Sequence, residues 1–123
     1  MQTLILRISM RQGEIWLINL DPVVGAEINK TRPGIIVNDN SLGKLPLKVI
    51  IPVTDWKKRY EIAPWIVKIE PDHKNGLAKD SSADCFQVRS VSHNRFVKCI
   101  GIVSSVVMDE IRTGLSKVLS IEN

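Results

Sequence analysis

A chain of 123 residues, 44% hydrophobic and 24% charged, has room for one domain with its own core and none for a second. Its formal net charge of +4 and pI near 9.3 favour polyanions by long-range attraction, although a solvated basic face accounts for the same balance. No apolar run is long enough to span a membrane, and the opening MQTLILRIS lacks the apolar length and small-residue cleavage site of a secretory signal, so the expected compartment is the cytoplasm.

Recognisable structure begins at Gly13. Residues 1–12 read as an N-terminal extension, with Met10 as an alternative start, and residues 13–123 as the domain. Glu14 to Leu20 spells a strand ended by Asp21-Pro22. Gly34 to Val37 is a second strand, stopped by Asn38-Asp39-Asn40. Leu47 to Thr54 is a third, rich in β-branched residues, and its internal Pro52 argues for an edge position or a bulge. Trp65 to Ile69, Cys85 to Val91 and Phe96 to Ile102 complete the set. Short, evenly spaced strands with polar turns predict a barrel or a tightly coiled sheet. Beyond them Val107, Met108, Ile111, Leu115, Val118 and Leu119 recur at helical spacing, with Ser104 or Ser105 to cap the start. This predicts one amphipathic helix packed on the β core. Cys85 and Cys99 both lie in apolar stretches and read as buried thiols of a reducing compartment, with a disulfide as the alternative.

The connection from Asp21 to Pro33 is too long for a hairpin turn, and loops of that length in a small domain tend to be functional. Gly25 gives it a left-handed or flexible point. Pro33 biases Arg32 toward an extended backbone, which presents the guanidinium at a fixed place where the second strand begins. A surface loop whose Arg32 pairs with Glu27 is the plainer alternative. Thr54, in Pro52-Val53-Thr54, puts a hydroxyl at a strand terminus, where it can meet a phosphate or ribose oxygen or serve only the strand. Gln87 and Arg89, two apart in a strand, share one face and suit base edges and phosphates, as a plain polar face also would. Trp56-Lys57-Lys58-Arg59-Tyr60 interleaves cations with aromatics, as single-stranded nucleic acid requires; a solvated basic loop is the alternative.

Other chemistries find no support. His73 and His93 fall in predicted loops, and their spacing does not suggest an acid–base pair. The sequence has no HExxH, zinc-type Cys/His cluster, paired acidic metal site, P-loop or dinucleotide fingerprint. No metal and no cofactor are expected.

Taken together, GEIWLINLDPVVGAEINKTRPGIIVND, VIIPVT and CFQVRSV resemble, in order, three blocks of the MazF/PemK toxins, and the terminal helix extends the resemblance over Gly13 to Ile121. The resemblance implies a mainly β fold: an SH3-like β-barrel of the PemK/CcdB type with a C-terminal α-helix, acting as a homodimer. It implies a sequence-selective endoribonuclease that cuts single-stranded mRNA without metal, held in check by a cognate antitoxin. Arg32 and Thr54 match the family's catalytic arginine and threonine. Glu27 matches an acidic residue of a mobile loop near the RNA, and Gln87 a substrate contact. Asn29, Lys30, Thr31 and Arg89 join them as expected RNA-binding residues. Ala26 stands where some members have histidine, and Phe86 and Asp84 stand where others carry a second Arg–Asp pair, so this chain fits the simpler Arg32/Thr54 version. Two alternatives are a CcdB-like toxin that binds a topoisomerase and a single-stranded RNA-binding module that does not cut.

Overall fold

The computed structural model describes residues 10–42 and 45–122, so the expected extension lies, apart from residues 10–12, outside the described residues. Seven strands form one antiparallel sheet: β1 Glu14–Asn19, β2 Thr31–Ile36, β3 Leu47–Asp55, β4 Ile66–Ile69, β5 Ser81–Asp84, β6 Arg89–Ser92 and β7 Phe96–Ile102. Among the described residues a single α-helix, α1 Ser105–Leu119, follows. The strand order is β4-β5-β3-β2-β1-β7, with β6 also paired to β3. This is the expected mainly β architecture with one C-terminal helix, although the ladder does not close on itself. Among the described residues no helix is long and apolar enough to cross a membrane.

Alternation along the strands sends apolar side chains to both faces. Ile15, Ile35, Ile51, Val53, Val67, Ile69 and Ala83 form one buried cluster, which α1 covers with Met108 and Ile111. Ser104 Oγ accepts from Val107 N at 3.1 Å and caps the helix as its sequence suggested. Each side chain as fully buried as Ile111 contributes roughly 1.5–3 kcal/mol. Gly114 lets the helix approach closely, because a Cβ there would stand 2.8 Å from Cys85 Sγ. Trp16, Ile18, Leu20, Ile36, Ile50 and Val91 form the second cluster. Met10, Ile28 and Phe96 pack against it, Phe96 edge-to-face on Trp16 with ring centroids 5.7 Å apart.

Several expectations need correction. Pro52 belongs to a central strand, not an edge: it pairs with Gly34 of β2. Along the opposite edge of β3 the partners are β6 up to Ile50 and β5 from Val53. Pro52 therefore falls in the gap between them, where its missing N–H breaks no ladder bond. The expected strand from Cys85 to Val91 is divided, since Cys85–Gln87 is a 3₁₀ turn with β5 before it and β6 after it. Asp84 drives that break by accepting from Phe86 N at 3.0 Å. Of the two thiols only Cys85 is buried, and burial first, then the nearby Asp84 charge, pushes it up to about 12. Cys99 is exposed on β7, an end strand of the sheet.

Candidate active site

The second strand begins earlier than its apolar run suggested, because Thr31 and Arg32 already pair with Asn19 and Ile18 of β1. Arg32 thus belongs to the sheet and not to the loop before it. Two residues on, Gly34 leaves space that Ile18 occupies; a Cβ there would lie 2.7 Å from Ile18 Cδ1. The half-buried Arg32 donates from Nε to Asn29 O at 3.2 Å. The alternative pairing with Glu27 is absent, since Glu27 Oε1 instead accepts from Val24 N at 2.6 Å. Among the described residues no carboxylate lies within ion-pair distance of the Arg32 guanidinium. One edge of the guanidinium is therefore held by the protein, while its remaining donors have no acceptor among the described residues.

The ladder between β2 and β3 pairs Ile36 with Ile50, Ile35 with Ile51 and Gly34 with Pro52. Carried two residues further, the same register sets Arg32 across from Thr54. Thr54 pairs in turn with Ser82 of β5, and Ser82 with Lys68 of β4. Thr54, Ser82 and Lys68 thus run across β3, β5 and β4 as direct cross-strand neighbours about 5 Å apart. By extension of the β2–β3 register, Arg32 continues the row on the face that carries Ile36 and Ile50. Thr54 Oγ1 lies 3.1 Å from Ser82 Oγ. Lys68 Nζ sits 5.3 Å from the Trp56 ring centroid and 3.8 Å from Asp80 Oδ2. Trp56 stands edge-to-face to Tyr60, and the Arg59 guanidinium lies 5.3 Å from the Tyr60 ring. The basic–aromatic stretch therefore ends the row as a set of mutually engaged cations and rings.

The loop before Arg32 is pinned from outside. Lys30, at φ 67°, donates from N to Asp21 Oδ1 at 3.0 Å, and its carbonyl accepts from Leu20 N at 2.9 Å. Arg89 Nη1 reaches Leu20 O at 3.4 Å. Arg95 Nη1 donates to Asn19 O at 3.1 Å and also to Asp21 O. Gln87 Oε1 accepts from Ile28 N at 2.7 Å, and its Nε2 lies 3.4 Å from Asp84 Oδ2. Gln87 and Arg89 do not share a strand face, because the 3₁₀ turn intervenes; each instead holds a different part of the loop. Glu27, Asn29, Lys30 and Thr31 are exposed along it.

Ser82 and Arg95 were not legible as site residues. SSAD shows no apolar alternation to mark a strand, and Arg95 follows His93-Asn94 in what reads as a turn.

Residues 11–119 match the family described as PemK-like, MazF-like toxin of type II toxin–antitoxin system. Endoribonuclease MazF9 of Mycobacterium tuberculosis is 30% identical over 112 residues, covering 86% of this chain and 92% of that protein. Endoribonuclease PemK of Escherichia coli is 31% identical over 113 residues, covering 90% and 83%. MazF from Deinococcus radiodurans shares the fold with a TM-score of 0.75 at 23% identity, over 90% of this chain and 96% of its own. A mycobacterial endoribonuclease solved in complex with its cognate antitoxin gives 0.73 at 17%, over 92% and 97%. This chain belongs to the PemK-like, MazF-like toxin family of type II toxin–antitoxin systems.

Proposed function

We propose that this member of the family, an endoribonuclease like its named relatives, cuts single-stranded RNA at the row begun by Arg32 and Thr54, by internal attack of a ribose 2′-oxygen on the adjacent phosphorus. The new bond joins the 2′-oxygen to phosphorus while the bond from phosphorus to the 5′-oxygen breaks. The 2′-hydroxyl gives up a proton and the 5′-oxygen takes one, leaving a 2′,3′-cyclic phosphate and a 5′-hydroxyl. Negative charge grows on the phosphoryl oxygens as the transition state forms, and a preorganised guanidinium stabilises it with two parallel hydrogen bonds.

The observation that carries this reading is the state of Arg32. Its Nε is fixed on Asn29 O, and no carboxylate neutralises it among the described residues. It stands on β2 two residues beyond the last β2–β3 ladder pair, Gly34 with Pro52, as Thr54 does on β3. A threonine hydroxyl is too weak an acid to act as a free-standing base, so Thr54 orients a reacting group instead. Glu27, Asn29, Lys30, Thr31, Gln87 and Arg89 line or hold the loop along which the RNA runs. A cognate antitoxin restrains the enzyme, as the complexes of the mycobacterial and Deinococcus relatives support. The working form is a homodimer; the exposed Ile62, Trp65 and Phe86 are apolar surface suited to protein contact.

Incubating the protein with mixed-sequence RNA in EDTA, followed by end mapping, tests the reaction. Discrete cuts with cyclic-phosphate ends are expected. A 2′-deoxyribose at the cleaved position should abolish the cut, and cleavage there rules out internal attack. Binding without cutting would instead favour the RNA-binding alternative, and inertness toward RNA a CcdB-like interaction; the named relatives favour neither.

A further inference from the structure

Ser82 is the buried member of the row, only 1% exposed, whereas Thr54 is half-buried. Three oxygens surround its hydroxyl: Thr54 Oγ1 at 3.1 Å, Thr54 O at 3.3 Å and Asp55 O at 3.3 Å. A serine hydroxyl has one proton to give and lone pairs to receive with, and a carbonyl can only accept. Two carbonyls thus converge on the single Ser82 proton. With that proton directed to the backbone, the contact between the two hydroxyls is made by Thr54 donating to Ser82 Oγ. The lone pairs of Thr54 Oγ1 are then left for the open side of the row.

We propose that Ser82 is a positioning residue that fixes the Thr54 hydroxyl as a hydrogen-bond acceptor toward bound RNA. Resting on the role given to Thr54 above, this narrows its partner. A phosphate oxygen has no proton to give, whereas a ribose 2′-hydroxyl does, so Thr54 receives the 2′-hydroxyl and Arg32 is left with the phosphoryl oxygens. Accepting that bond places the nucleophilic oxygen before attack, while Thr54 keeps its own proton, donated to Ser82 Oγ, and so has only lone pairs to offer the RNA. Lys68 and Trp56 lie beyond Ser82 and take no part in the relay.

Single-turnover cleavage by Thr54→Val, Ser82→Ala and the double variant tests the relay. Thr54→Val should slow cleavage, and Ser82→Ala should lower kcat about five-fold, the worth of one neutral hydrogen bond, with KM moved less than about two-fold. In the Thr54→Val background Ser82→Ala should add less than about two-fold, because its target is gone. Ser82→Thr and Ser82→Val bring the same packing disturbance and differ by hydroxyl against methyl; the threonine variant should recover most of the rate and the valine variant should not. Full activity in Thr54→Val overturns the role of Thr54 itself. Slow Thr54→Val combined with an undiminished Ser82→Ala loss in that background, or with equal rates for Ser82→Thr and Ser82→Val, overturns the relay alone.

Discussion

Two connections of this molecule, the turn after β4 and the loop between β1 and β2, are built on opposite principles. In the turn, Asn75 is fully buried and satisfies itself locally: Nδ2 donates to Glu70 O at 2.8 Å, and Oδ1 accepts from Asp72 N at 3.2 Å and Leu77 N at 3.0 Å. Asp72 Oδ1 accepts from Lys74 N and Asn75 N, and those bonds hold its carboxyl below the usual carboxylate range. The turn also packs hard against β7, so that a Cβ on Gly76 would stand 2.0 Å from Ile100 O. The β1–β2 loop has no such interior. A Cβ on Gly25 would meet nothing within 4 Å, and Val24 is 80% exposed. Its base is held by Arg89 and Arg95, and its middle by the Gln87 bond to Ile28. One connection is part of the core; the other is an appendage that leads into Arg32 and can adjust to a ligand.

Substitutions at the two places should therefore separate function from stability. Arg32→Ala is expected to remove about 2.7–4 kcal/mol of transition-state stabilisation, a loss of roughly 10²–10³-fold in kcat, by analogy with deleting an oxyanion donor. Its thermal midpoint should stay near that of the parent, since no ion pair among the described residues is broken. Full activity would remove Arg32 from the mechanism. Arg32→Lys should rescue poorly, because a point charge lacks the planar fork.

Gly76→Ala is the converse case: a left-handed backbone at φ 68° and a clash with a carbonyl should together cost about 3 kcal/mol of stability. Asn75→Ala leaves two backbone N–H groups and a carbonyl without their part-buried partner, and about 1–3 kcal/mol is expected there. Gly25→Ala meets only backbone strain at φ 60°, about 1–2 kcal/mol. Chemical denaturation ranks all three. A Gly25→Ala cost equal to that of Gly76→Ala would show that the loop is packed after all.

The same contrast explains what could be read from the sequence. Strands and helix with regular apolar spacing, such as Ile66–Ile69 and Ser105–Leu119, were legible because burial dictates their periodicity. Gly25 was legible as a left-handed point, and it has φ 60°. Arg32 and Thr54 could be singled out as a pair only through the resemblance, because the β2–β3 register that opposes them is a property of the sheet. Ser81–Asp84 was missed as a strand because its pattern is small and polar, and with it went Ser82. The division at Cys85–Gln87 was missed because CFQVRSV has β propensity throughout, and a single side-chain bond from Asp84 overrides it. That division matters, since it turns Gln87 from a strand-face residue into the latch on the loop.

Gln87→Ala offers the mildest and sharpest probe of that latch. It deletes the acceptor for Ile28 N and leaves the bonds at the loop base from Arg89 and Arg95 in place. Global stability should fall by no more than about 1 kcal/mol, the net worth of one hydrogen bond. Hydrogen exchange at the Ile28 amide should accelerate while exchange in β3 stays unchanged, and cleavage should slow about five-fold because the loop is less ordered. Gln87→Glu separates latch from RNA contact. It keeps an acceptor for Ile28 N but adds negative charge beside Asp84, so a pure latch retains protection at Ile28 and near-parent KM. A residue whose main partner is RNA would show the same Ile28 exchange but a KM raised above the parent's, by a ratio that shrinks as salt is added. Unchanged Ile28 exchange in Gln87→Ala would mean that the loop is held by its base alone, and the contrast between the two connections would then rest on packing and not on this bond.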